Sequence, residues 1–147
     1  MVCAVIAAPQ VTVAQAISDC DWRSEARFIV EPWEENSRSF ANGNVRLTRI
    51  NAREPVPGPL YLMVQWRSDP VTDWSECRLI GWTQAQGFAQ LEFAALSASY
   101  DPAKGLTFTL PGLFYLEEEG FSNSVLIALT LNRATNKVSV EAALGIE

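Results

Sequence analysis

The stretch that decides the fold lies at the middle of the chain and reads Trp74-Ser75-Glu76-Cys77-Arg78-Leu79-Ile80-Gly81-Trp82. It alternates as a β-strand does, with Cys77 and Leu79 on one side and with Arg78, Ile80 and Trp82 on the other. Of the three cysteines, Cys3 lies in a leading segment that we interpret below as a signal-peptide remnant, which leaves Cys20 as the partner of Cys77. Two cysteines in an exported domain typically form one disulfide. We predict a Cys20–Cys77 bond that ties the start of the domain to its central strand.

Further strand-like runs flank this stretch, and short segments rich in Gly, Pro, Asn and Asp separate them. This spacing is typical of sandwiches and barrels, and no long run has a helical period. We predict an all-β domain over residues 17–147, built as a single antiparallel β-sandwich of about eight strands. A closed up-and-down β-barrel is the alternative. The other predicted strands cover residues 27–30, 45–50, 60–66, 88–100, 106–110, 125–131 and 137–142.

Four of these segments carry more specific expectations. Residues 45–50 change face at Ile50, which predicts a bulge. Residues 60–66 are apolar on both faces, which predicts a central position in a sheet. Residues 100–105 predict a hairpin turn, with Gly105 in the conformation that glycine favours. Pro111 is expected to interrupt the strand at 106–110, because proline lacks the N–H that a sheet needs.

The first sixteen residues resemble the end of a secretory signal peptide. An apolar run leads to Ala14-Gln15-Ala16, and signal peptidase accepts small side chains at such positions. The positively charged first part is missing, since no Lys or Arg precedes Arg23. We interpret residues 1–16 as a signal-peptide remnant and expect a periplasmic or secreted protein. A first strand through residues 11–13 is the alternative.

Charge and composition exclude several functions. The net charge is −6, and the two lysines and nine arginines form no cluster, so the chain is not expected to bind nucleic acid. No apolar segment is long enough to span a membrane. The chain has no histidine, which removes the commonest general base and the commonest transition-metal ligand. We therefore expect no enzymatic activity and no cofactor.

Acidic residues provide two weaker candidate sites. Asp69, Asp73 and Glu76 lie within eight residues and form a weak candidate calcium site, although the spacing does not match an EF-hand loop. Glycoside hydrolysis needs two carboxylates and no histidine. The carboxylates available for it are those of Glu31, Glu34, Glu35, Glu76 and Glu92.

The five tryptophans divide into two groups. Trp66 and Trp82 fall in predicted strands and are expected in the core. The other three flank acidic or proline-bounded loops, where exposed rings can stack on a sugar or pack against a protein. The candidate binding residues are Trp22, Trp33 and Trp74.

These patterns predict a small exported, non-enzymatic binding or accessory domain, whose ligand is a protein, a small molecule or a carbohydrate. A lipocalin-like carrier of a small apolar ligand is the first alternative, and a carboxylate-based glycoside hydrolase is a more distant one.

Overall fold

The computed structural model describes residues 16–68 and 76–145, and it confirms the all-β class. Ten strands are described: β1 Ala16–Asp19, β2 Ser37–Phe40, β3 Val45–Asn51, β4 Leu60–Trp66, β5 Glu76–Gly81, β6 Gln90–Leu91, β7 Ser97–Asp101, β8 Gly105–Leu116, β9 Phe121–Asn132 and β10 Lys137–Leu144. Single 3₁₀ turns span Trp22–Ser24, Ala26–Phe28, Trp33–Glu35 and Phe93–Ala95. In this part of the chain no helix is long and apolar enough to cross a membrane.

The strands form two antiparallel sheets, so the predicted sandwich is confirmed and the closed-barrel alternative is wrong. Sheet A has the order β1-β5-β4-β3-β2, and β4 is central as its two apolar faces predicted. Sheet B has the order β10-β9-β8-β6, and β7 also pairs with β8. The sheets meet at one corner, where Leu60 and Phe88 form an isolated bridge. The Tyr100–Gly105 turn is the predicted hairpin between β7 and β8.

The main core lies between the two sheets. Sheet A contributes alternate residues of its central strands, and sheet B contributes the inward residues of β8 and β9. The largest side chains there that have no exposed surface are those of Trp66, Phe88 and Phe108. Both tryptophans predicted for the core are buried, and the ring of Trp82 stacks on that of Phe114 at 3.8 Å between centroids.

A second apolar cluster lies on the outer face of sheet A. It contains Phe28, Ile50, Ala52, Tyr61, Met63 and Leu79. Ile50 belongs to this cluster, whereas Val45 and Leu47 face the main core. The register of β3 with β4 is continuous, so the predicted bulge at Ile50 is wrong. The change of face reflects a strand that is buried on both sides.

Residues 20–30, which we name the cover segment, close this second cluster from outside. The predicted strand at 27–30 is wrong: residues 26–28 form a 3₁₀ turn, and Ile29 makes only an isolated bridge to Ile50. The side chain of Phe28 packs in the second apolar cluster, and residues 26–28 do not join a sheet. The cover segment therefore runs across sheet A from β5 to β3.

Strand β8 continues through Pro111, so the predicted interruption is also wrong. The carbonyl of Pro111 accepts a hydrogen bond from the backbone N–H of Glu92. In an antiparallel strand the N–H and C=O of one residue point to the same neighbour. The missing N–H of Pro111 would therefore point to the side of β8 that pairs with β6 and β7, at the junction between these two strands. The pairing of β8 with β9 on the other side loses no hydrogen-bond donor.

The predicted single run over residues 88–100 is divided into β6, a 3₁₀ turn and β7. Two arginines of sheet A bind the carbonyl groups of this irregular segment. Arg49 Nη1 donates to Leu91 O at 2.9 Å, and Arg38 Nη1 donates to Leu96 O at 3.1 Å. These long-range contacts hold the edge of sheet B against sheet A.

Candidate functional site

The candidate site is built on the predicted disulfide, which the structure contains. Cys20 and Cys77 are bonded, with their Cα atoms 5.5 Å apart and a separation of 57 positions in sequence. Cys77 lies in β5, and Cys20 directly follows β1. The bond fixes the start of the cover segment, and the backbone N–H of Val30 fixes its end by donating to Arg49 O at 3.1 Å.

The tripeptide Asp21-Trp22-Arg23 follows the disulfide and is held by its own side chains. The Asp21 carboxylate accepts from the backbone N–H of Arg23 at 3.0 Å, as a residue that caps a helical turn does. Arg23 Nε and Nη2 also donate to the two carboxylate oxygens of Asp21, at 2.9 and 2.7 Å. This two-point pairing holds a carboxylate and a guanidinium in one plane beside Trp22.

The same pair shifts two pKa values. Hydrogen bonds from Arg23 stabilise the carboxylate and hold the pKa of Asp21 below its usual value. The hydrogen bond to Asp21 raises the pKa of Arg23 in turn. Both groups are therefore charged over the whole neutral range.

Tyr61 forms the floor beneath Arg23. Its ring centroid lies 4.7 Å from the guanidinium carbon of Arg23, a cation–π contact. A Cβ on Gly81 would lie 2.9 Å from Tyr61 Cε1, and one on Gly87 would lie 2.9 Å from Tyr61 Cε2. The ring fits because both neighbours are glycines, and this packing fixes the surface on which Arg23 rests.

Trp22 stands beside this floor with half of its surface, 51%, exposed. Its ring meets the ring of buried Phe28 edge-on, with centroids 5.7 Å apart and planes at 77°. The second apolar cluster thus orients an indole that faces solvent. The open groove beside it has a volume of about 500 Å³, and its lining adds Glu54, Pro55, Gln84 and Ala85 to Asp21, Trp22, Arg23 and Tyr61. We name it the tryptophan groove.

The tryptophan groove combines an aromatic face with planar hydrogen-bonding groups. Trp22 offers an apolar surface, Asp21 and Glu54 accept hydrogen bonds, and Arg23 and Gln84 supply donors. Such a set has the chemistry to bind and orient a ligand that has both C–H surface and hydroxyl groups.

Of the other two predicted binding residues, only Trp33 is among the described residues, and it lies elsewhere. Trp33 is 53% exposed in the 3₁₀ turn before β2 and does not line the tryptophan groove. Trp74 falls in residues 69–75, outside the described residues, as do Asp69 and Asp73. Glu76, the third residue of the calcium candidate, contacts Arg78 at 3.3 Å. The calcium site therefore stays a prediction.

Four of the five glutamates considered for hydrolysis line a second cleft of about 540 Å³. Glu31, Glu34, Glu35 and Glu92 line it together with Arg38 and Arg49. Arg49 is engaged with Asn36 Oδ1 and Leu91 O, both at 2.9 Å. We name this the glutamate cleft, and Glu76 is the member that it lacks.

Sequence reasoning found Trp22 but missed most of the tryptophan groove. A local signal existed for Arg23, because an acidic and a basic residue flank Trp22 two positions apart. Tyr61, Glu54 and Gln84 come from distant parts of the chain, and one sequence does not show which of them meet.

No protein-family model matches the chain, and no curated protein or solved structure matches it significantly.

Proposed function

We propose that this chain is a small exported, non-enzymatic binding domain that holds a neutral carbohydrate in the tryptophan groove. One observation carries the proposal: Trp22 is half exposed, is oriented by Phe28, and stands beside the planar Asp21–Arg23 pair.

Sugar chemistry matches this arrangement. One face of a pyranose ring presents C–H groups, which pack on the electron-rich face of an indole. The rim of the ring carries neighbouring hydroxyls, each of which both donates and accepts hydrogen bonds. Asp21 and Glu54 can accept from them, and Arg23 and Gln84 can donate to them. The groove is open, which suits a chain of sugars that stays partly in water.

Charge favours a neutral ligand. The chain carries a net charge of −6, and Asp21 and Glu54 both line the groove. An acidic glycan would approach against this field. Export is supported by the disulfide, because such bonds persist in oxidising compartments.

A glycan array with matched variants tests the proposal. Trp22→Ala removes the platform, while Trp33→Ala removes an indole of similar exposure outside the groove. We expect wild type and Trp33→Ala to retain the same neutral glycans. Trp22→Ala should bind them roughly thirtyfold more weakly, the effect of losing about 2 kcal/mol of aromatic contact. Equal retention by all three proteins, or retention by none, would contradict the proposal, provided that the variants melt cooperatively.

Glycoside hydrolysis in the glutamate cleft is a second candidate, favoured by the four glutamates that line this cleft. Chromogenic aryl glycosides test it directly. Turnover by wild type that Glu92→Gln abolishes would support it, and no release of the aryl alcohol by wild type would exclude it for those substrates.

A carrier that holds a ligand between the sheets has less support, because Trp66, Phe88 and Phe108 fill that space.

A further inference from the structure

A third concave site lies at the end of the sandwich opposite the tryptophan groove, where three turns converge. The turns are β2–β3, β7–β8 and β9–β10, and they enclose about 390 Å³. We name this site the turn pocket. Its wall is mainly apolar and includes Tyr100, Pro102, Leu106, Leu131 and Ala134.

The turn pocket is fixed by close contacts between the turns. Gly105 has φ +105°, and a Cβ there would collide with the carbonyl oxygen of Leu131, so β8 approaches β9 closely. Asn132 Oδ1 accepts from the backbone N–H of Ala134 at 3.0 Å. Asn136 Oδ1 accepts from Trp66 Nε1 at 2.9 Å, which ties the β9–β10 turn to the core. A pocket held in this way exists before a ligand arrives.

Arg133 gives the turn pocket its charge. It is the one charged residue among those that line the pocket. Its Nη2 donates to Arg67 O at 3.3 Å, while its Nε is buried with no acceptor. Within residues 16–68 and 76–145, no ion pair neutralises Arg133. The tryptophan groove and the glutamate cleft, in contrast, both contain carboxylates.

We propose that the turn pocket binds a small amphiphilic carboxylate. The carboxylate meets the guanidinium of Arg133, whose planar donors match its two oxygens. The hydrocarbon body packs on Leu106, Leu131 and Pro102, beside the exposed ring of Tyr100. The volume falls within the range of small-molecule sites, and a mainly apolar wall with one fixed polar group is their usual composition. This site is independent of the proposed carbohydrate site.

Titration of decanoate and of decanol, its uncharged analogue, into ¹⁵N-labelled protein tests the proposal. Decanoate should shift amides of residues 100–106 and 131–134, and decanol should bind at least about tenfold more weakly, because a charge-assisted hydrogen bond is lost. Arg133→Gln should weaken decanoate binding to a similar degree, and Arg133→Lys should restore part of it.

Two further variants test whether decanoate binding depends on direct contact with Arg133 or only on the positive charge of this region, and whether the result holds if Arg133→Gln misfolds. Lys104→Gln removes a cation from the neighbouring β7–β8 turn and should leave decanoate affinity unchanged. Ala134→Phe, at an exposed turn position, should fill the turn pocket and block binding even if Arg133→Gln proves unstable. Equal affinity for decanoate and decanol, or shifts outside the three turns, would overturn the proposal. Absence of any shift up to the solubility limit of decanoate would do so as well.

Discussion

The outer face of sheet A and the outer face of sheet B are made of different side chains. On sheet A, Ile50, Tyr61, Met63 and Leu79 point outward, and the cover segment buries them. On sheet B, the outward positions of β8 and β9 hold Thr, Ser, Ala and a few larger apolar residues, and neither strand has a charged residue. Leu126 at the centre of that face is 46% exposed.

The difference shows why the cover segment exists. The apolar side chains on the outer face of sheet A are removed from solvent only if another part of the chain covers them. Threonines on sheet B tolerate water and bond across strands, as the hydroxyls of Thr107 and Thr130 do at 3.2 Å. The burial of this face therefore depends on the disulfide and on a small apolar cluster, and the tryptophan groove forms where the cover segment begins.

Removal of the disulfide should have the largest effect. We expect Cys20→Ser with Cys77→Ser to lower the free energy of unfolding by about 4 kcal/mol, because the bond closes a long loop in the unfolded chain. Urea unfolding of oxidised wild type and the double variant measures this. Reduced wild type, the control, should match the variant, and a loss below about 1 kcal/mol would show that the cover holds without the bond.

Phe28→Ala should have the next largest effect. Phe28 is only 7% exposed and joins the cover segment to the outer cluster, so we expect a loss of about 3 kcal/mol. Leu126→Ala on the outer face of sheet B is the matched control and should change stability by less than about 0.5 kcal/mol. If urea unfolding showed similar losses of unfolding free energy for the two variants, the outer faces of sheets A and B would not differ in how much they contribute to stability.

Asp21→Asn should have the smallest effect. Asp21 keeps 41% of its side chain exposed, so the loss at pH 7 should stay below about 1 kcal/mol. Because the folded protein lowers the pKa of Asp21, the contribution is present above the unfolded pKa of about 3.9 and is lost as pH falls through the folded pKa. Unfolding curves of wild type and variant should keep a constant gap from about pH 7 to 5, and the gap should close below about pH 4. If the difference in unfolding free energy disappeared already near neutral pH, the stabilisation would have to come from another titrating group.

The sequence predicted the sandwich because alternation marks which faces are buried. The prediction of individual strands failed where an apolar run packs in a cluster without joining a sheet, and where a proline is compatible with the sheet. Residues 27–30 look like a strand but supply Phe28 to a cluster, and Pro111 looks like a break but faces a gap in pairing. The Cys20–Cys77 bond was predictable from the number of cysteines in residues 17–147, and the exposure of Trp22 was predictable from the acidic loop that it flanks. The partners Tyr61 and Gln84 depend on how the sheets fold together.

The most direct test of the tryptophan groove is amide shift mapping with the neutral glycan that the array retains most strongly. We predict that the largest shifts fall on Trp22, Arg23, Tyr61, Gln84 and Ala85, including the indole N–H of Trp22, and that Trp22→Ala removes them. Shifts centred on the glutamate cleft, on the turn pocket or on the outer face of sheet B would contradict a carbohydrate site at the edge of the cover segment.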